Sequence, residues 1–155
     1  MLEVGDRAPA FELQDQDGTV HSLDGYRGRW LVLYFYPRDD TPGCTTEACG
    51  FRDASEGLAA LDAAVVGVSA DDASAHQKFA RKYDLNFPLL VDPDKSMLEG
   101  YGAWTEKQMY GKRYMGVARI TYLIDPEGVV AKVWPKVKAD GHADEVREAL
   151  TELRA

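Results

Sequence analysis

The sequence predicts an α/β fold: one mixed central sheet flanked by helices, preceded by an N-terminal β-hairpin. Three observations carry that prediction. Trp30 to Tyr36 is a continuous apolar and aromatic run, bounded by the polar YRGR before it and Pro37 after it, as a strand buried on both faces reads. Helix-length segments separate it from two further apolar runs, AAVVGVS at 63–69 and FPLLV at 87–91, so parallel crossovers are expected. The C-terminal part reads as two strands joined by a tight turn and then one amphipathic helix.

Element by element, Phe11 to Leu23 reads as a hairpin, because Asp17-Gly18 supplies residues that tolerate the left-handed conformations of a tight turn. After the strand Trp30 to Tyr36, PRDDTPG is turn chemistry. Thr41 followed by Pro42 resembles an N-cap with proline at the first helical position, so a helix is expected from about Gly43 or Cys44 through Phe51, Leu58 and Leu61. Gly50 and Gly57 are its weak points. Asp71 or Asp72 can cap a second helix through Phe79 and Tyr83, and KSMLEGYG at 95–102 reads as a short one. VARITYLID at 117–125 and VVAKVWP at 129–135, joined by PEG, make the second hairpin. Ala143 to Leu153 closes the chain, with Val146, Leu150 and Leu153 on one face. The polar connection from Thr105 to Gly116 reads as a loop near a site, with Trp104 and Met109 as candidates for lining it. A β-α-β unit followed by β-β-α is the order of a thioredoxin-like core.

With 155 residues, 45% hydrophobic and 28% charged, the chain fits a single globular domain over 1–155 and not a disordered or fibrous one. A formal charge of −8 opposes binding to phosphate backbones and anionic lipid, so neither nucleic acid nor membrane is an expected partner. MLEVGDRAPAFELQ has no basic flank and no apolar stretch of signal-peptide length, which makes the cytoplasm the expected location.

The two cysteines, Cys44 and Cys49, are five residues apart. Cys44 falls in the first turn of the expected helix, where unpaired backbone N–H groups and the positive end of the helix dipole favour an anionic sulfur. Thr41 lies one turn earlier, its hydroxyl able to cap the helix or to turn toward the sulfur or a bound oxygen. Helical positions five apart have Cα atoms roughly 8.6 Å apart and point about 140° away from each other, and a disulfide tolerates at most about 7 Å. A bond between them therefore requires at least one helical turn to unwind. Thr45, Thr46 and Gly50 make that inexpensive. Other readings of the pair are poorer. His21, His76 and His142 give no zinc-ligand spacing, no histidine is marked as a base for a cysteine hydrolase, and the chain has no glycine-rich phosphate loop.

YFYPRDDTPGCTTEACGFRD at 34–53 resembles the active-site segment of peroxiredoxins, and the five-residue cysteine spacing is similar to the bacterioferritin-comigratory, or Q-type, branch. GDRAPAFEL, VVGVSADDASAHQKFARKYDLNFPLLVD, GAWTEK and YMGVARITYLIDPEG resemble the same branch in order and spacing, so the similarity covers nearly the whole chain. The resemblance implies a thioredoxin-like fold and reduction of hydroperoxides with no metal or organic cofactor. It implies Cys44 as the peroxidatic and Cys49 as the resolving cysteine, closing an intramolecular disulfide that thioredoxin or a similar dithiol reduces. Thr41 and Arg119 become polar partners of Cys44, Pro37 and Pro42 shape the pocket, Gly43 offers a backbone donor, and Glu47 orients the arginine. A monomer is the expected state. Ile120 and Tyr122 depart from the pattern that follows the arginine. A general thiol-disulfide oxidoreductase, which lacks its CxxC motif here, and a redox-sensing holdase are the competing readings.

Overall fold

The computed structural model describes residues 1–154. Its centre is a five-stranded mixed sheet in the order β5-β4-β3-β8-β9, formed by β3 (Trp30–Phe35), β4 (Ala63–Ser69), β5 (Leu89–Val91), β8 (Ile120–Ile124) and β9 (Val130–Trp134). β3, β4 and β5 run parallel, whereas β8 and β9 continue the sheet antiparallel. Strands β1 (Glu12–Gln14) and β2 (Val20–Ser22) form the N-terminal hairpin.

Successive residues from Leu31 to Tyr36, along β3 and at its exit, feed two cores. Leu31, Leu33 and Phe35 pack with Phe11, Tyr26, Leu98 and Tyr101, from the hairpin, the turn after it and α3 (Ser96–Gly100). Val32, Tyr34 and Tyr36 pack with side chains of α1 (Pro42–Ala60), α2 (Ala73–Lys82) and α4 (His142–Arg154), including Phe51, Phe79 and Val146. A strand covered on both faces must be apolar throughout, which is why Trp30 to Tyr36 shows no alternation. On the helix side Tyr34 lies directly over Gly67 of β4, where an added Cβ would come within 2.9 Å of the phenol ring, so the aromatic stack needs a glycine there.

Three expectations need correction. Thr105 to Gly116 is not a loop: β6 (Trp104–Met109) and β7 (Lys112–Val117) pair antiparallel around Tyr110-Gly111, both with positive φ. A two-stranded ribbon exposed on much of both faces needs no apolar alternation, so Thr, Glu, Lys and Gln there give no strand pattern. The expected strand at 117–125 is divided, with Val117 ending β7 and Ile120 opening β8, which leaves Ala118 and Arg119 between them. Leu153 is 45% exposed, unlike the buried Val146 and Leu150, because the last turn of α4 extends past the core.

Candidate active site

The loop Pro37–Thr41 carries the chain from β3 into α1. Thr41 takes the N-cap position in extended backbone, without a capping hydrogen bond from its side chain, and Pro42 occupies the first helical position, so Cys44 is the third helical residue and its sulfur lies at the positive end of a 19-residue helix. Cys44 is buried and Cys49, further along the same helix, is half-buried; both are free thiols.

Arg119 reaches Cys44 from the break between β7 and β8. Its Nη2 donates to Cys44 Sγ at 3.4 Å, and its Nη1 donates to Glu47 Oε1 at 2.8 Å. Glu47, one turn after Cys44, is fully buried, whereas the arginine side chain keeps 20% exposure. Gly43 makes the approach possible: a Cβ there would lie 3.0 Å from Arg119 Nη2. Burial pushes the Glu47 carboxyl up to about 7, against the lowering effect of Arg119. Burial alone lowers the Arg119 pKa, but Cys44 and Glu47 outweigh it and raise it, so the guanidinium stays charged. Below about pH 7 a neutral Glu47 still accepts from Arg119 through its carbonyl oxygen, leaving the arginine's charge uncompensated beside the sulfur.

Of the sequence-expected residues, Cys44, Arg119, Glu47 and Gly43 meet in this one group. Cys49 does not join it. The Thr41 hydroxyl donates to the Arg38 carbonyl at 2.9 Å, so its single hydrogen is committed within the loop and its lone pairs are what it can offer a ligand. Pro37 is half-buried at the loop entrance, and Pro42 is exposed, serving to start the helix. Tyr34 lies within electrostatic reach of Glu47, Cys44 and Arg119, and burial raises its pKa well above the ordinary tyrosine value.

The histidines are engaged elsewhere. His21 contacts Asp15 and Tyr26, and His142 contacts Thr121 and Glu145. His76 contacts Asp39, which with Tyr36 anchors the loop Pro37–Thr41. Sequence reasoning missed this second cluster. Its signal was the spacing of His76, Phe79 and Tyr83, three and four residues apart, which places a histidine on the apolar face of α2.

A thiol at a helix N-terminus, faced by a fixed guanidinium in a nearly dry pocket, is arranged to stabilise anionic sulfur and charge passing to a neighbouring oxygen. Residues 4–133 match the AhpC/TSA family. Peroxiredoxin Bcp of Bacillus subtilis is 47% identical over 98% of this chain and 97% of its own length, and peroxiredoxin Bcp of Escherichia coli is 42% identical over 97% of each. Among solved structures, the Xanthomonas campestris bacterioferritin comigratory protein superposes with a TM-score of 0.89 at 40% identity, covering 94% of this chain and 92% of that one. A Xylella fastidiosa PrxQ variant superposes with a TM-score of 0.95 at 34% identity, covering 100% and 99%. The fold, the cysteine at the helix start and these relatives agree: the chain belongs to the AhpC/TSA family, as a peroxiredoxin of the Bcp, or Q-type, branch.

Proposed function

We propose that the chain reduces hydrogen peroxide and organic hydroperoxides through a two-cysteine cycle begun by Cys44. The observation that carries this reading is the Cys44 Sγ to Arg119 Nη2 contact of 3.4 Å at the start of α1. Alkyl peroxide reduction is an activity of the Xanthomonas campestris relative. The Cys44 thiolate attacks one peroxide oxygen, and the O–O bond breaks with its electron pair leaving on the second oxygen. That oxygen takes a proton and departs as water or alcohol, and Cys44 becomes a sulfenic acid. Charge passes from sulfur to the leaving oxygen, and Arg119 with the backbone N–H groups of Gly43 and Cys44 stabilises it throughout. Thr41 accepts a hydrogen bond from the hydroperoxide O–H and so orients the O–O axis.

Cys49 then attacks the sulfenic sulfur, forming the Cys44–Cys49 disulfide and releasing water, after the first turns of α1 unwind. A dithiol such as thioredoxin reduces the disulfide by exchange. Such a cycle suits a reducing compartment, which supports the cytoplasm as its location. Cys44, Cys49 and Arg119 come from one chain around one sheet, so neither the peroxide step nor the resolving step calls for a second copy, in keeping with a single-domain, monomeric enzyme. The test follows peroxide consumption coupled to thioredoxin oxidation. Turnover that vanishes in Cys44→Ser is expected, and turnover that survives the substitution contradicts the reading.

A further inference from the structure

Asp39, at the centre of the loop Pro37–Thr41, is anchored on three sides. Its Oδ1 accepts from the Tyr36 hydroxyl at 2.6 Å, its Oδ2 lies 2.6 Å from His76 Nδ1, and its backbone N–H donates to Asp71 Oδ2 at 2.7 Å. His76 is fully buried on α2, and its second ring nitrogen, Nε2, lies 2.8 Å from the Leu90 carbonyl of β5. A carbonyl oxygen only accepts, so Nε2 carries a hydrogen. A carboxylate oxygen also only accepts, so a proton must lie between Nδ1 and Oδ2; without it two lone pairs would face each other at 2.6 Å in a dry site. Imidazole is the stronger base of the two, so that proton resides on Nδ1 and the pair is an imidazolium against the Asp39 carboxylate.

Three charged or titratable groups face His76, while β5 offers only the Leu90 carbonyl. They are Asp39 on the loop, Asp71 between β4 and α2, and Tyr36 at the exit of β3, whose hydroxyl lies 3.5 Å from Nδ1. Burial pushes the His76 pKa down. The hydrogen bond to Asp39 and its charge, with the Leu90 carbonyl and Asp71, outweigh that and hold it above the ordinary histidine value.

The loop links this cluster to the reaction site. Asp40, next in the chain, is held in the left-handed region, and its carboxylate accepts from Lys82 at 2.8 Å and Tyr83 at 2.7 Å, both at the end of α2. On the other side of Asp39, the Arg38 carbonyl accepts the Thr41 hydroxyl. Movement of Asp39 therefore turns the carbonyl that fixes Thr41.

We propose that His76 is a positioning residue for the peroxide reaction: its imidazolium clamps Asp39 and thereby the loop that presents Thr41 and Pro37, and loss of that proton in alkaline solution loosens the loop and slows attack by Cys44. The proposal rests on the peroxidatic reading of Cys44. His76 exchanges neither proton nor electron with the peroxide.

The test uses full-length protein in a Cys49→Ser background, so that one thiol reports. Stopped-flow fluorescence gives the second-order rate of Cys44 with hydrogen peroxide from pH 6 to pH 9.5, and iodoacetamide alkylation gives the intrinsic reactivity of the same thiol. With His76 intact the peroxide rate is expected to fall at least fivefold on an alkaline limb above the ordinary histidine range. His76→Asn is expected to react with peroxide at least tenfold more slowly at pH 7, to lack that limb, and to alkylate within twofold of the parent. Asp39→Asn should reproduce both effects, and it decides the matter alone if His76→Asn does not fold. Parent-like peroxide rates across the pH range, or equal losses of peroxide and iodoacetamide reactivity, overturn the proposal. A parent protein that alkylates but ignores peroxide overturns the peroxidatic reading itself, and the His76 proposal with it.

Discussion

Arg119 is the side chain on which the site's electrostatics turn, because one guanidinium serves both Cys44 and Glu47. Lysine keeps the charge but not the planar fork, so it cannot span both partners. Arg119→Lys is therefore expected to slow the first peroxide reaction about 100-fold, the scale of a lost transition-state donor. Stopped-flow kinetics checks this, and a loss below threefold would mean the charge alone suffices. Glu47 gives a stability prediction of definite sign. Its carboxyl titrates at about 7 in the fold against an ordinary 4.5, so the stability contributed by the neutral form is complete below about 4.5 and lost as pH rises through about 7. The urea midpoint of Glu47→Gln, relative to the parent, should accordingly rise between pH 5 and pH 8; a constant difference would place the carboxyl's titration elsewhere. Arg119 was partly legible from Val117 and Ile120, apolar neighbours that promised a buried target. Its place in a break between strands was not, since one uninterrupted pattern, VARITYLID, runs across that break.

In the proposed two-cysteine cycle, helix α1 must be stable enough to hold Cys44 and weak enough to open for Cys49. Gly50 sets that balance. A Cβ there would meet only the Ala143 methyl of α4 at 3.6 Å, an ordinary contact, so alanine fits the folded helix. It should favour the helical state by about 1 kcal/mol, close to fivefold in an unwinding equilibrium. Gly50→Ala is thus expected to slow disulfide formation about fivefold while leaving sulfenic acid formation within twofold, as read from the two fluorescence phases. Equal effects on both phases would separate resolution from unwinding. The start of this helix was legible because its signals are local: the turn residues, Thr41 and the proline at the first helical position are contiguous in the chain. The β6–β7 hairpin was not, because its pairing rests on the left-handed turn at Tyr110-Gly111 and on backbone hydrogen bonds that leave no hydrophobic period. The same distinction explains the cluster beneath the active-site loop. Asp39 and His76 are 37 residues apart and meet only when α2 packs against the sheet at β5.

At the scale of the whole molecule, a five-stranded sheet brings two distant stretches together at one site: the loop after β3 with the first turns of α1 that follow it, and the break before β8. The fold class was legible because the buried parallel strands are continuous apolar runs, and the strand that feeds both cores has no polar position to spare. The same packing places Cys44 and Cys49 on one helix, at a spacing an intact helix cannot bridge. Chemistry and conformational change are therefore a single claim, and intact mass tests it most directly. One equivalent of hydrogen peroxide is added to the reduced protein, which is then treated with a thiol-alkylating reagent. A loss of about two mass units with neither thiol alkylated is the expected result, the signature of a Cys44–Cys49 disulfide and a helix that has opened. Two thiols still free to alkylate would contradict the peroxidase reading, and one cysteine carrying stable extra oxygen beside a free Cys49 would contradict the resolving role.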